Sequence, residues 1–409
     1  MTLERTASGE PPRFLLLLPP PPSPPESSAL KAAYGSSISD CLKEAATHSS
    51  DTSKAAVLEI ALACPHLLNS YGSARSGLYE QTQAIVAGVY KLIVTTAAHD
   101  GINVEDVDGV DARVILLAWS PETEQRAPSS IPYGPIIDMG TLARSGRQWQ
   151  FAFGVESEAG ERMVRDFVTA KGNGHEVDRV QSPPVMNAPG QAGRSAASAP
   201  ANLSHQKHYD VAVGGTWDHL HIGHKLLITM TLFVVDDGDG HRERTAVIGI
   251  TGDQLLVNKK HANLVESWAT RQKAVAVFFN AIVDFSNPAT SGQRHVSIRD
   301  DPGPNGKSID IHYPHGLIVQ CTEIQDPFGP TITEERISAL VISAETRSGG
   351  KAVNDKRKEQ AWRELDVFEV DVLDAEDEEP SAGVKEGFDS KISSTAIREK
   401  IARKAGGKI

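Results

Sequence analysis

The segment at residues 214–225, GGTWDHLHIGHK, carries the residue types that bind and activate phosphate esters. It follows a predicted strand and opens a predicted helix, where free N–H groups and the positive end of the helix dipole bind anions. His221 and His224 are three residues apart, so both lie on one face of the first helical turn and can donate to one phosphoryl group. Gly223 between them leaves room for a nucleotide to lie against the helix.

A single histidine is more often part of a core or of a surface than of an active site. The combination H-x-G-H directly after a strand and a Gly-Gly-Thr turn favours the functional interpretation. The segment resembles the signature that nucleotidyltransferases share with class I aminoacyl-tRNA synthetases, in the form found in eukaryotic, fungal-type phosphopantetheine adenylyltransferases. Three further collinear segments resemble the same family, namely residues 248–271, 326–360 and 391–398.

The resemblance implies an enzyme of coenzyme A biosynthesis, a pantetheine-phosphate adenylyltransferase. Such an enzyme transfers AMP from ATP to 4′-phosphopantetheine, giving 3′-dephospho-coenzyme A and pyrophosphate, with Mg²⁺ accompanying the ATP. The residues agree with this chemistry, because no serine, cysteine or histidine is paired with a base for covalent catalysis. The substrate phosphate is already anionic at neutral pH, so catalysis is expected from positioning and from charge stabilisation at the α-phosphate.

Lys259 and Lys260 come just after a predicted strand, at the end where the ligand crevice of a parallel sheet lies. A lysine pair by itself is equally consistent with a solvated surface. The resemblance implies that one of the two holds the phosphates of ATP or of the second substrate. We place Lys260 in the catalytic set, while the sequence leaves open which of the two contacts phosphate.

Two arginines in the third segment are candidate phosphate ligands, because a planar guanidinium donates hydrogen bonds in pairs. Arg347 follows an apolar run at 339–343 within a few residues and is expected at the carboxyl end of a strand. Arg357 lies on the next helix, where an ion pair with Asp355 or Glu359 is the alternative. Arg347 is therefore the stronger candidate.

A hydroxyl-rich group opens the last predicted helix. Ser393, Ser394 and Thr395 stand together, and Arg398 follows one turn later. A helix N-cap explains one of the hydroxyls. Three hydroxyls and an arginine predict a site for the β- and γ-phosphates of ATP, from which pyrophosphate leaves.

These assignments give two sets of candidate residues and no protein ligand to a metal. The set assigned to the α-phosphate comprises Thr216, His221, His224 and Lys260. The remaining predicted contacts to ATP or substrate are Gly214, Gly215, Asp218, Gly223, Lys259, Arg347, Arg357, Ser393, Ser394, Thr395 and Arg398.

The elements that must position these residues fall into three predicted zones. Residues 10–168 form an α/β domain of unknown role, with strand-like runs at 13–18, 56–63, 91–96 and 112–119 and a helical pattern at 79–90. Residues 169–206 are rich in Gly, Pro, Ser and Ala and predict a flexible linker. Residues 207–409 hold all four segments, so residues 205–409 are expected to be active alone.

The third zone alternates strands and helices, which predicts a doubly wound, mostly parallel sheet of the Rossmann-like nucleotidyltransferase type. Helices are expected at 221–233 and 264–283. Strands are expected at 209–213, 245–250, 317–321, 339–343 and 367–372.

Composition limits the partners. The formal net charge of −12 argues against general nucleic-acid binding, and the three cysteines form no C-x-x-C pair. No run approaches the roughly 18–20 apolar residues that span a bilayer, and we expect a cytoplasmic protein. Self-association, or a complex with other enzymes of coenzyme A synthesis, stays open.

Three alternatives to this function are kept. A class I aminoacyl-tRNA synthetase shares the two signatures, but the expected absence of an anticodon-binding domain after residue 404 and the acidic charge disfavour it. A cytidylyl- or adenylyltransferase could act on another phosphorylated small molecule, and an inactive scaffold would not need intact histidines.

The segment 303–308 resembles a phosphate-binding P-loop, but Asp301 stands where its first glycine belongs, so we predict a turn.

Overall fold

The computed structural model of this chain describes residues 11–49, 55–68, 72–104, 109–123, 132–172, 177–181, 206–238, 242–287, 294–373 and 393–406. These residues form two α/β halves, and each half is built on its own sheet. The predicted fold class, a doubly wound parallel sheet preceded by a second α/β part, is confirmed.

The N-terminal sheet has six strands in the order β4-β3-β2-β1-β5-β6. All of its pairings are parallel. The strands are β1 (Arg13–Leu18), β2 (Ala56–Ala63), β3 (Val110–Leu117), β4 (Ile136–Ile137), β5 (Phe151–Val155) and β6 (Asp178–Val180). The near-continuous apolar sequence of β1 to β3 suits strands that are covered on both faces.

Helices cover both faces of this sheet. One face carries α1 (Ser27–Ser49) and α2 (Tyr79–Asp100), and the other carries α3 (Met139–Arg144) and α4 (Glu158–Lys171). Local signals set the ends of these helices. Asp138 accepts a hydrogen bond from the Thr141 amide at the start of α3, and Gly101 ends α2 in the left-handed conformation at φ 71°.

Two predictions for this half need revision. The run at 91–96 is not a strand, because it continues α2, whose length and apolar composition place it between the sheet and the C-terminal half. Residues 178–180, within the predicted linker, form β6 and pair with β5. The linker's residues 173–176 and 182–205 lie outside the described residues.

The C-terminal sheet has seven strands in the order β13-β12-β7-β8-β11-β10-β9. The pairings of β10 with β9 and with β11 are antiparallel, and the other pairings are parallel. The strands are β7 (Asp210–Gly215), β8 (Arg244–Thr251), β9 (His295–Asp300), β10 (Lys307–His312), β11 (Leu317–Ile324), β12 (Ala339–Ser343) and β13 (Asp366–Val370). Every strand predicted in this half is therefore present.

The helices of this half again lie on both faces, with α5 (Ile222–Val234) and α6 (Trp268–Val283) on one and α7 (Arg347–Glu359) on the other, while α8 (Ser394–Gly406) closes the described chain. α6 begins later than predicted, because Ser267 caps it by accepting from the Thr270 amide. Residues 303–306 turn between β9 and β10, as expected, with Gly303 at φ 103°.

The two halves share one hydrophobic core. A single buried cluster includes Val86 and Tyr90 of α2 together with Leu226 and Phe233 of α5. Because these side chains are buried against each other, the C-terminal half on its own would expose part of its core to water. No described helix combines the length and apolar character that crossing a bilayer requires.

Candidate active site

The predicted signature forms a loop at the carboxyl end of β7, an inner strand of the C-terminal sheet. α5 begins directly after it, with His221 at the N-cap position. The loop after β8, residues 252–267, and the start of α7 after β12 lie at the same edge, because these strands are parallel to β7. This edge of a doubly wound sheet is where ligands bind.

The loop is held in a strained conformation. Trp217 and His219 both have positive φ angles, 59° and 47°, which are costly for residues other than glycine. The buried indole Nε1–H of Trp217 donates to the carbonyl of Gly249 at 2.8 Å. The His219 amide donates to a carboxylate oxygen of Glu266 at 2.8 Å. Strain fixed in this way is typical of ligand-binding loops.

His221 and His224 form a stacked pair. Their ring centroids are 3.9 Å apart with an interplanar angle of 23°, and the His224 ring also contacts Trp217. The Nδ1 atom of each histidine is buried without a hydrogen-bond partner, whereas neither Nε2 is enclosed in that way. The Nε2 atoms are therefore the ones that a ligand can reach.

Both imidazoles are neutral at physiological pH. Burial lowers the pKa of His224 to about 4, against a smaller opposing effect of Asp218. Burial also lowers the pKa of His221 well below its usual value, and His224 and Lys225 lower it further. Each ring therefore offers one N–H donor and no positive charge.

The three glycines of the signature serve different purposes. A Cβ at Gly214 would meet no protein atom within 4 Å, so this position faces open space in the crevice. A Cβ at Gly215 would lie 3.0 Å from the ring of Trp217, and one at Gly223 would lie 3.2 Å from the ring of His221. Gly223 thus leaves room for His221, where the sequence suggested room for a nucleotide.

Asp218 and Arg398 form a fully buried ion pair that ties α8 to the signature loop. The guanidinium also donates to the carbonyl of Lys260 and to Oγ1 of Thr395, both at 3.1 Å. Because its three nitrogens are engaged within the protein, Arg398 is not free to bind phosphate here. The predicted role of Asp218 as a nucleotide contact meets the same objection.

The hydroxyls at the start of α8 also have protein partners. Ser393 accepts from the amide of Ala396 and caps the helix. Ser394 donates to the carbonyl of Asp218 at 2.7 Å, and Thr395 accepts from Arg398. The structure therefore places α8 against the signature loop and uses these hydroxyls to hold it there, whereas the sequence assigned them to the β- and γ-phosphates of ATP.

The two lysines lie on the loop after β8, exposed at the mouth of the crevice. Lys260 has a side chain that is 64% exposed and forms an ion pair with Glu399 of α8. The backbone of Lys259 closes a turn with Leu256 at 3.0 Å. Both ammonium groups stay within reach of solvent, as a phosphate ligand requires.

The two arginines of α7 differ in position and exposure. Arg347 begins the helix at the carboxyl edge of the sheet and is 69% exposed, where it pairs with Glu369. Arg357 lies three turns further on, at the opposite edge, and is 1% exposed. Its guanidinium donates to four backbone carbonyls, those of Thr331, Glu335, Ile337 and Arg363. The prediction that Arg357 binds phosphate is wrong, because a buried arginine was needed there to bond otherwise unpaired carbonyls.

Arg271 holds the signature loop in place, a role that no motif indicated. This fully buried arginine of α6 donates to the carbonyls of Thr216, Glu266 and Thr251 and to the carboxylate of Asp253, at 2.5–2.9 Å. Its position at the end of the segment 248–271, near the start of α6, was the available signal.

Known proteins resemble parts of this chain. A family model described as "Domain of unknown function (DUF8446)" matches residues 1–189. A protein of Schizosaccharomyces pombe, itself named uncharacterized, is 34% identical over 194 residues, covering 47% of this chain and 48% of that protein.

Two further relatives are named phosphopantetheine adenylyltransferase. The protein of Saccharomyces cerevisiae is 31% identical over 49% of this chain and 50% of its own length. The protein of Methanothermobacter thermautotrophicus is 28% identical over 47% of this chain and 85% of its own length. The chain spans about half the length of the two yeast relatives.

Proposed function

We propose that this chain transfers the adenylyl group of ATP to 4′-phosphopantetheine, giving 3′-dephospho-coenzyme A and pyrophosphate. The observation that carries the proposal is the stacked pair of neutral imidazoles at the start of α5, next to an open glycine position at the carboxyl end of β7. The names of the relatives from Saccharomyces and Methanothermobacter support the choice of reaction.

The reaction makes modest demands on the protein. An oxygen of the substrate phosphate attacks the α-phosphorus of ATP, the new P–O bond forms, and the bond from the α-phosphorus to the bridging oxygen breaks. Pyrophosphate leaves with the electron pair of that bond. No proton has to be removed from the nucleophile, so donors that hold both phosphates in line and stabilise charge on the α-phosphoryl oxygens suffice.

We assign those donors to the signature. His224 and His221 present their Nε2–H groups, and the hydroxyl of Thr216 stands on the loop that Arg271 fixes. The backbone of Gly214 and the amide end of α5 complete the anion site. Because the imidazoles are neutral and already fixed by stacking, they need little reorganisation when charge develops.

The β- and γ-phosphates would lie toward the loop after β8 and the start of α8. Lys259 and Lys260 are the exposed cations there, and the positive dipole end of α8 faces the same region. Binding of the triphosphate would draw Lys260 away from Glu399, its partner in the free protein. Arg347 lies further along the same edge and could hold the acceptor phosphate once released from Glu369.

Mg²⁺ would enter as the complex with ATP. In the described part of the chain no group of three His, Cys, Asp or Glu side chains is placed to hold a metal ion. Mg²⁺ is commonly bound through substrate phosphates with few protein ligands, so the residues present fit a metal that arrives with the nucleotide. When bound, it would neutralise charge on the phosphates.

The direct test is pyrophosphate release by the full chain with ATP, Mg²⁺ and a series of acceptors, with the nucleotide product identified by mass. The proposal expects release with 4′-phosphopantetheine and formation of dephospho-coenzyme A. Release with another phosphorylated acceptor, or with CTP in place of ATP, would keep the reaction class and change the substrate. If folded protein releases no pyrophosphate with any of the acceptors, the proposal is contradicted.

A further inference from the structure

Lys225, the residue after His224, is bound by the N-terminal half. Its side chain is only 6% exposed, although lysine is rarely buried. The ammonium donates to a carboxylate oxygen of Asp111 at 2.6 Å and to the carbonyl of Ala112 at 3.1 Å. Both acceptors belong to β3, so the first turn of α5 is fastened to a strand more than a hundred residues earlier in the chain.

The carboxylate of Asp111 is itself held in place. One of its oxygens accepts from Lys225, while the other accepts from Nε and Nη2 of Arg113 at 3.0 and 2.5 Å. Burial alone would raise the pKa of this carboxyl group, but the two cations outweigh burial and lower it. Asp111 is therefore a fixed anion whose two oxygens have separate partners.

A second element packs against the next turns of α5. Tyr90, on α2, lies in the same buried cluster as Leu226 and Ile228 of α5. Its hydroxyl accepts from the amide of Val114 of β3 at 3.2 Å. Packing against α2, itself hydrogen-bonded to β3, thus supports the helix that carries His221 and His224.

Two places in the described part of the N-terminal half where such a fold could bind phosphate are unsuited to it. The loop after β1, where such a fold binds phosphate, begins with four prolines at residues 19–22, and proline has no N–H to donate. The first turn of α4 carries Glu158 and Glu161, which repel anions. This half is therefore better suited to hold the C-terminal site than to bind a second nucleotide.

We propose that Asp111 is a positioning residue for adenylyl transfer. By fixing the ammonium of Lys225, it sets the orientation of the first turn of α5 and with it the imidazole of His224 against the α-phosphoryl group. The N-terminal half thus completes the active site without touching the substrate. This inference rests on the function proposed above.

The test uses four variants of the full chain. Asp111→Asn and Lys225→Met each break the pair, and the double variant removes both of its charges. Lys225→Met leaves Asp111 paired with Arg113, whereas Asp111→Asn takes this anion from the buried Arg113. Asp237→Asn is the matched control. Asp237 joins the same two halves, through Arg75 at 2.6 Å and Arg244 at 2.9 Å, but beyond the other end of α5, about 18 Å from His224's turn.

We expect kcat per folded molecule to fall by about tenfold or more in each single variant, with the KM for ATP changed by less than about threefold. The double variant should be no slower than the slower single variant, because both break one interaction. Asp237→Asn should keep kcat within about twofold of the parent even where its melting temperature falls. If Asp111→Asn does not fold, Lys225→Met decides, because Asp111 keeps Arg113 as its partner in that variant, and a normal kcat in it would overturn the inference.

A readout independent of turnover separates this inference from the proposed function. In nuclear magnetic resonance spectra, the ring signals of His224, assigned by their loss in His224→Gln, should shift in Asp111→Asn and stay in place in Asp237→Asn. If the parent protein releases no pyrophosphate but this pattern holds, the proposed reaction is wrong while the coupling stands. Unchanged His224 signals in Asp111→Asn would overturn the coupling.

Discussion

The His221–His224 pair is the feature on which the site depends at the scale of single residues. Burial keeps both rings neutral, and stacking fixes how they lie against each other. The pair stands at the carboxyl end of β7, next to the open position at Gly214, which is where ligands bind in a doubly wound sheet. This placement favours ligand binding over packing as the explanation of the pair.

Because His224 is neutral in the folded protein, the free energy of unfolding should depend on pH. Its pKa of about 4 in the folded protein lies below the value of an unfolded chain, near 6.5. Between these values the unfolded state binds more protons, so stability is full above about pH 6.5 and falls as the pH drops toward 4. We expect urea unfolding of the parent to show this loss, and His224→Gln to show a shallower dependence on pH. An equally steep dependence in that variant would mean that His224 titrates normally.

Gly214 tests where the nucleotide lies. Because a Cβ at this position meets no protein atom, Gly214→Ala should fold normally and keep its melting temperature. We expect the KM for ATP to rise by about tenfold, since the methyl group would occupy the space that the phosphates need. Gly349→Ala, which also places its Cβ in open space, is the control and should bind ATP normally. Unchanged ATP binding in Gly214→Ala would move the nucleotide away from this loop.

At the scale of elements, strands could be predicted well and buried helices less so. The apolar runs of β1, β2, β8 and β12 are short and bounded by polar or turn residues, which identifies them. The prediction of a strand at 91–96 was wrong because α2 is buried on several sides. It therefore has no polar face that would show the helical repeat in the sequence. α1 was not predicted for a related reason, since its polar and apolar residues are barely segregated.

The candidate site could be predicted as a set of segments but not as a set of contacts. The sequence assigned α8 and the signature loop to one ATP site, and the structure places them in contact. It could not show that Arg398 faces Asp218, because a phosphate and a carboxylate attract the same guanidinium. Arg271 and Lys225 escaped notice because their partners are backbone carbonyls and a carboxylate far away in the chain.

The Arg398–Asp218 pair predicts that α8 is anchored by a buried charge. Arg398→Met should lower the free energy of unfolding by about 3–5 kcal/mol, because it leaves Asp218 buried and unpaired. Arg347→Met removes an exposed ion pair and should leave the free energy of unfolding nearly unchanged, because water screens such a pair. Urea unfolding followed by fluorescence measures both. Equal small losses would show that α8 is held by other contacts.

At the scale of the whole molecule, the two halves are packed and hydrogen-bonded against each other. Besides the shared core, Arg75 donates its amide to Asp236 and its guanidinium to the carbonyl of Val235, at 2.8 and 2.7 Å. Arg147 reaches the carbonyl of Asp284 at 3.0 Å while paired with Glu59. These contacts hold both ends of α5 and the end of α6 to the N-terminal half.

This arrangement reverses the expectation that residues 205–409 act alone. We now expect that fragment to melt well below the full chain and to aggregate, because it exposes the face of α5 that packs on α2. Its activity per molecule should fall with the loss of the Asp111 contact. Supplying residues 1–204 as a separate chain is the control and should restore both properties. A fragment as stable and active as the full chain would contradict this view.

The central claim is that His224 donates to the α-phosphoryl group in the transition state, and His224→Ala tests it most directly. The measurement is kcat for pyrophosphate release per folded molecule, beside the parent and His295→Ala, an exposed histidine on the edge strand β9. The account predicts a fall of about 10²–10³-fold for His224→Ala, with a much smaller change in the KM for ATP and a normal rate for the control. A near-parental kcat for His224→Ala would contradict it.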